Sequence, residues 1–333
     1  MPATIRDVAA HARVSVATVS RALSGRRRVS DENLQRVIRA AAELSYRPNL
    51  VASALRRQVT NTVGLVIPQI SNPFFPTLVE SIEWQLQSTT RQLLLCDSRS
   101  DPELEQYRLR ALVDRQVDGI IISPCDAVRS ADAVCVTALQ VPLVQIDRRI
   151  TGDATDWVGV DDEVGMRLVV EHVVMGGARS AVFLGPVLTN SSAMSRLSAF
   201  SSEASRFGLR TSDPLLGSFT AVWGIEAARV LLAARQLPDA VVCANDLIAI
   251  GVLRHFLLAG VRVPEDVIVT GFDDIAAAEL SAPSLTTVRQ PFNAMAFEAL
   301  RLLTERLNRQ DGPYQRISMS PELVVRESTT RRR

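Results

Sequence analysis

Apolar positions in the first fifty residues recur at helical spacing in three short bursts. Ile5, Val8, Ala9 and Ala12 make the first stripe, with Thr4 ahead of it and Asp7 three residues on, the pattern of a capping box. Val19 and Leu23 make the second, on a helix over about 16–24 that Ser15 caps and Gly25 ends. Val16, Ala17, Ser20 and Arg21 fall on its other face. Leu34, Val37, Ile38, Ala41 and Leu44 make the third, over 31–45, with Ser30 as its cap and Asp31 and Glu32 where the helix dipole favours acids. Two short helices with a tight connection predict a helix-turn-helix that lays its second helix in a DNA groove.

From Thr62 onward the pattern changes. Short unbroken apolar runs at 63–67, 92–96, 119–122, 142–146, 157–160, 181–185, 240–243 and 267–271 read as strands. Amphipathic stretches between them, such as 77–87, 104–115, 164–174, 225–235 and 248–259, read as helices. Strand and helix in alternation imply parallel sheets covered on both faces. The strands are too many for one small sheet, so two doubly wound lobes are expected. The fold class is therefore an all-α helix-turn-helix head plus an α/β core of two doubly wound lobes. Between the two lies 48–60. Pro48 disfavours helix at Arg47, and Asn49 can cap a new helix of about two turns that is too short to stand alone. It needs another copy of itself or DNA as a partner, unless it is an ordinary amphipathic linker.

Charge sharpens this division. The net charge of the 333 residues is +1, but residues 1–60 hold eleven Arg against four acids, or +7, which leaves −6 for the remainder. A basic head on a mildly acidic body points to a polyanion partner for the head, the alternative being a solvated basic surface. All 37 basic residues are Arg, so every cationic contact is a rigid, permanently charged fork. Cys96, Cys125, Cys135 and Cys243 show no metal or redox spacing and suit buried thiols in a reducing compartment. The first residues have no signal-peptide apolar region, and no apolar run reaches the ~20 residues of a membrane span, so a cytoplasmic location is expected.

The runs Thr4-Ile5-Arg6-Asp7-Val8-Ala9, Val14-Ser15-Val16-Ala17-Thr18-Val19-Ser20-Arg21 and Tyr46-Arg47-Pro48-Asn49 resemble the head of the lactose-repressor/galactose-repressor (LacI/GalR) family of bacterial transcription regulators. The resemblance continues along the full chain. It implies a DNA-binding head over 1–47, a hinge over 48–60 and an effector-binding and dimerisation core over 61–333 of the periplasmic-binding-protein type. Lobe 1 would take about 61–161 plus 291–319 and lobe 2 about 162–290, the lobe of the C-terminal segment being left open. By position the base-reading residues are Val16, Ala17 and Arg21. Arg21 can pair bidentately with guanine, or else clamp a phosphate, whereas Val16 and Ala17 can only touch thymine methyls or leave room. Thr4, Ser15, Thr18 and Ser20 would contact backbone or phosphate and set register. Asn49 and Arg56 would flank Leu55, the residue expected to wedge between central base pairs in the minor groove.

The same resemblance implies a cleft for a small carbohydrate-like effector: a sugar, sugar acid or sugar phosphate. Ligands of open α/β sheets bind at the C-terminal ends of strands. Phe74 and Phe75 follow the first strand, Asp147 and Arg148 the fourth, and Asp161 and Asp162 the fifth. Arg196, Phe219, Asn245, Asp273 and Gln290 match effector-binding positions of the family. Asp246 and Asp274 precede helical stretches and lean towards capping. Two departures from the family pattern, Gly177-Ala178-Arg179 and Ala199-Phe200, fall at a turn and within a helix. Thr329 to Arg333 carry no leucine heptad, so a homodimer on near-palindromic operator DNA is the expectation. No catalytic constellation, metal cluster or cofactor fingerprint is legible. The rival readings, a sugar-binding transport protein and an enzyme, lack a signal peptide and a catalytic set respectively.

Overall fold

The computed structural model describes residues 3–24, 29–46, 59–152, 154–234, 236–308 and 312–330. The chain divides into two compact units, Met1–Thr60 and Asn61–Arg333.

The first unit holds α1 (Ile5–Ala12), α2 (Val16–Ser24) and α3 (Asp31–Glu43). The capping box forms: the Asp7 amide donates to Thr4 Oγ1, and the Thr4 amide donates to Asp7 Oδ2 at 2.8 Å. Arg13 closes α1 in the left-handed region at φ 49°, and Ser15 Oγ accepts from the Thr18 amide at 3.1 Å, so the turn between α1 and α2 is tight. Val8, Ala9 and Ala12 meet Val19, Ala22, Val37 and Ala40 in the core. Two expectations fail here. Ser30 stands at the N-cap of α3 but its hydroxyl makes no capping bond. Ile38 is 48% exposed, because the core centres on Val37 and a step of one residue turns a side chain about 100° away. The helix expected over 49–57, with Asn49, Leu55 and Arg56, lies outside the described residues, as do Arg26 to Arg28.

The second unit begins with β1 (Thr62–Ile67), α4 (Phe74–Leu86), β2 (Gln92–Asp97), α5 (Pro102–Asp114), β3 (Gly119–Ile122), α6 (Ala131–Ala138), β4 (Leu143–Ile146) and β5 (Asp156–Val160). A second run follows: α7 (Asp162–Met175), β6 (Ser180–Pro186), α8 (Ser191–Arg206), β7 (Arg210–Thr211), β8 (Leu215–Gly217), α9 (Ala221–Ala233), β9 (Ala240–Cys243), α10 (Asp246–Leu258), β10 (Ile268–Thr270) and α11 (Ala276–Leu280). The chain then passes through β11 (Thr287–Arg289) and returns as α12 (Phe292–Leu307) and β12 (Arg316–Met319), before β13 (Glu322–Val324).

β12 pairs in parallel with β5 and completes a six-stranded sheet in the order β12-β5-β4-β3-β1-β2. Val63, Leu65 and Ile67 of β1 pack on α4 and α12, while Val66 faces α5 and α6 with Ile120 and Ile122. Burial on both faces explains why these strands read as unbroken apolar runs. The second sheet runs β10-β9-β6-β7, with β8 also on β6. The closing residues lie against it: β13 pairs antiparallel with β11, and Ser328 exchanges bonds with Val269 of β10. α4 starts three residues before its expected position, with Pro73 as its N-cap residue, which places Phe74 and Phe75 in its first turn.

The close approach of α9 and α10 depends on two glycines. A Cβ on Gly224 would lie 2.1 Å from the Ile248 carbonyl, and one on Gly251 would lie 2.1 Å from the Ala221 carbonyl. Neither backbone can yield without separating the helices. Gly251→Ala is therefore expected to destabilise the second unit by about 1–3 kcal/mol or more. Urea unfolding measures this, and an unchanged midpoint would show that the helices part at no cost.

Candidate ligand cleft and DNA-reading face

On the head, Val16, Ala17 and Arg21 are exposed on one face of α2, and Ser20 is half-buried beside them. Arg21 folds its Nε back to the Ala17 carbonyl at 3.2 Å, along the same face. Thr4 and Ser15 are exposed but busy as caps, and Thr18 bonds the Ser15 hydroxyl at 2.9 Å. The outer face of α2 therefore offers two small apolar side chains and one guanidinium.

The core carries a cleft of about 690 Å³ between the ends of the two sheets, with a narrow chamber beneath it. The chamber leaves about 10 Å³ of free space and is lined by Asn72, Phe74, Phe75, Asp147, Arg148, Ser192, Arg196, Phe219 and Asp273. Arg148 and Phe219 belong to both and form the floor of the one and the roof of the other. Bonds close the lobes on each other here. The Ala127 amide donates to the Thr189 carbonyl at 2.7 Å, and the Arg149 amide to Ser191 Oγ at 2.9 Å.

The chamber is organised by buried charge. Arg196, on the inner face of α8, is 3% exposed. Its Nε donates to Asp162 Oδ1 at 2.8 Å and its Nη1 to the Ala244 carbonyl at 2.8 Å, with Asp273 Oδ1 at 3.5 Å. Its guanidinium carbon lies 3.7 Å from the centre of the Phe272 ring. Asp147 accepts from Ser123 Oγ of the first lobe at 3.2 Å and from Ser192 Oγ of the second at 3.5 Å. Asp147 (φ 62°), Asp273 (φ 116°) and Asp274 (φ 55°) all hold positive φ. Such backbone is costly for a residue with a Cβ; the Asp147 and Asp273 side chains line the chamber, whereas Asp274 turns to Arg289 and Arg326.

Burial pushes the Asp162 carboxyl up to about 6 and the Asp273 carboxyl up to about 7, each against the pull of Arg196. Burial likewise raises Asp147 and, with Asp273 adding to it, raises Asp246 well above the usual range. Burial opposes the Arg196 cation, but Asp162 and Asp273 outweigh it and its pKa is raised; burial lowers that of Arg148. Cys125 lines the cleft, but burial, with Glu105 beside it, pushes its thiol up to about 12, so it stays protonated.

Of the eight cleft residues expected from sequence, Phe74, Phe75, Arg148, Arg196, Phe219 and Asp273 meet at the chamber. Phe74 packs edge-on against Phe75 at 5.0 Å and against Phe292 at 5.2 Å, so it supports the wall. Asn245 and Gln290 do not line the chamber. Asn245 Oδ1 caps α10 by accepting from the Ile248 amide at 3.0 Å, and its Nδ2 is buried without a partner. Gln290 Nε2 donates to Asp273 Oδ1 at 2.7 Å. Capping of α10 thus falls to Asn245 rather than to Asp246, which accepts from the Ile275 amide at 2.9 Å and from the Thr287 hydroxyl. Asp274 caps nothing either, and pairs with Arg289 and Arg326, both at 2.7 Å. Ser192, Arg99 and Arg129 line the site without having been singled out in sequence. Ser192 had a usable signal, since it lies two residues after Asn190, the residue that caps α8. Among the described residues, no group of His, Cys, Asp and Glu is placed to hold a metal ion, and no helix is long and apolar enough to cross a membrane.

A helix-turn-helix head on a two-lobed α/β core with a polar, charge-lined cleft defines a ligand-responsive regulator of transcription. Residues 4–49 match bacterial regulatory proteins of the lacI family, and residues 170–329 match a periplasmic binding protein-like domain. The chain is 32% identical over 328 residues to the HTH-type transcriptional repressor PurR of Mannheimia succiniciproducens, covering 98% of each. It is similar to the lac repressor dimer bound to operator and the anti-inducer ONPF (TM-score 0.90, 27% identity, 99% of each chain). It is also similar to the transcriptional regulator CelR in complex with cellobiose (TM-score 0.73, 30% identity, 98% and 99%). The chain belongs to the LacI family of bacterial regulatory proteins.

The raised carboxyls give the core a pH signature. Asp162 and Asp273 hold their protons more tightly in the folded chain than in the unfolded one, where an Asp titrates near about 4. Their contribution to stability is therefore fully present below about pH 4 and is lost as pH rises through about 6 and 7. Asp273→Asn removes the part of that loss that ends near pH 7. A melting-temperature profile from pH 5 to 8 is expected to be flatter for this variant, and an unchanged slope would refute the assignment.

Proposed function

We propose that the chain is a dimeric repressor of transcription whose grip on a near-palindromic operator is set by a carbohydrate-like effector in the cleft. Residues 1–47 read DNA, 48–60 form the hinge, and 61–333 bind effector and pair the subunits. The observation that carries this reading is Arg196 with Asp162, Asp273 and Asp147 around it, in the chamber beneath a cleft between lobes. Paired donors and acceptors beside aromatic faces suit a polyhydroxylated ligand. Effector bound between the lobes changes their closure, and through the hinges it changes whether two recognition helices hold the spacing of two half-sites.

Arg21 discriminates one guanine per half-site, while Thr4, Ser15, Thr18, Ser20, Asn49 and Arg56 hold backbone or phosphate. Leu55 wedges into the minor groove. Val16 and Ala17 admit thymine methyls. With so sparse a code, dimer spacing and DNA bending carry much of the specificity. The protein acts in the bacterial cytoplasm, at the nucleoid when bound to its operator.

A gel shift on DNA upstream of the gene tests the reading. Retardation is expected to weaken steeply with salt and to respond to one sugar, sugar acid or sugar phosphate; a transport protein or an enzyme gives none. Arg21→Ala is expected to relax preference at one guanine by about 1–3 kcal/mol, whereas an unaltered base preference would make Arg21 a phosphate clamp. Leu55→Ala is expected to lose specific affinity and keep salt-dependent non-specific binding. Unchanged operator affinity would remove the wedge.

A further inference from the structure

Two arginines in the depth of the cleft stand in different conditions. Arg196 is fully engaged, by Asp162, Asp273 and the Ala244 carbonyl. Arg148 is almost as buried, at 7% exposure, yet its Nε has no hydrogen-bond partner. Its ion-pair partner among the described residues, Asp147, is 3.7 Å away and shared with the hydroxyls of Ser123 and Ser192. Its guanidinium lies over the rings of Phe75 and Phe219, at 5.5 and 5.2 Å. Those faces attract a cation but do not satisfy its N–H groups. A buried cation short of hydrogen bonds is held at a cost that an incoming anion would relieve.

The mouth of the cleft repeats the imbalance. Arg99 and Arg129 line it, both exposed, and among the described residues their side chains carry no hydrogen bond or ion pair. The acids beside them are occupied by their own loops. Asp97 Oδ1 accepts from the Arg99 amide at 2.8 Å, and Asp126 Oδ1 accepts from the Val128 and Arg129 amides at 2.9 and 2.8 Å. Three guanidiniums therefore face one cleft with unused donors, while the carboxylates near them are partly satisfied.

We infer that the effector is a polyhydroxylated anion whose carboxylate or phosphate is taken by Arg148 together with Arg99 and Arg129. The inference rests on the cleft being the effector site and narrows what enters it. The anionic group draws Arg148 off the Phe75 and Phe219 faces. Those faces and the chamber below them, with Arg196, Asp147 and Asp273, then receive the hydroxylated body. A neutral sugar brings no counter-charge to Arg148 and leaves the roof of the chamber in place.

Titration of the full-length protein with inorganic phosphate at constant ionic strength tests this without knowing the sugar. Calorimetry is expected to show saturable binding that weakens at least about tenfold in Arg99→Gln/Arg129→Gln, since bonds to charged groups are each worth that much or more. Both positions are exposed, so the variant is expected to keep the melting temperature of the parent. No saturable binding, or equal affinity in parent and variant, overturns the inference, the latter because the phosphate then sits elsewhere, as on the basic head. Competition with gluconate and with glucose 6-phosphate separates a carboxylate from a phosphate requirement, and glucose displacing phosphate as well as either of them contradicts both. A failed gel shift would remove the DNA reading and leave the outcome of this titration standing.

Discussion

The core is arranged around one requirement, that the Arg196 guanidinium be neutralised where water does not reach it. An unpaired buried cation costs on the order of several kcal/mol, so the groups that surround it are constrained as a set. Asp162 comes from the first turn of α7, Ala244 from the end of β9, and Asp273 from the loop after β10. Asp273 holds a positive φ, 116°, at that position. Gln290, where the chain leaves β11 for the first lobe, holds the same carboxylate. The clamp thus joins the second lobe to a segment that crosses between lobes.

This arrangement suits a switch. Several ionisable groups sit in the chamber beneath a cleft whose walls belong to different lobes, and each has its proton affinity displaced by burial first and by its charged neighbours second. A ligand that changes the charge or hydrogen bonding there acts on Asp147, which is held by hydroxyls of both lobes.

Much of this was legible in the order of apolar residues. The capping box at Thr4 and Asp7, the turn at Ser15, and the buried strands of the first sheet follow from local rules, because their partners lie within a few residues or on adjacent strands. What escaped depends on distant partners. β12 alternates Arg316, Ile317, Ser318 and Met319 at the sheet edge, and only its pairing with β5 makes it a strand. Phe74 and Phe75 fall ahead of the helix expected over 77–87, yet Pro73 sits at that helix's N-terminus, where its missing N–H costs nothing, and the helix begins with them. In sequence Asp246 reads as the cap and Asn245 as an effector position. The tertiary position of Ile275 and Thr287, which claim the Asp246 carboxylate, decides between them. Arg196 and Arg148 likewise carry the same side chain, and only the surrounding carboxylates tell the engaged one from the one with an unused donor.

The measurement that tests the clamp most directly is a rescue. Arg196→Met leaves Asp162, Asp273 and Asp147 facing one another without their buried cation, so a large loss of stability in denaturant unfolding at pH 8 is expected. Adding Asp162→Asn to that variant removes one of the stranded charges and is expected to recover part of the loss, although Asp162→Asn alone in the parent is expected to destabilise. Losses that simply add in the double variant would contradict the claim that neutralising Arg196 is what holds the floor of the cleft together.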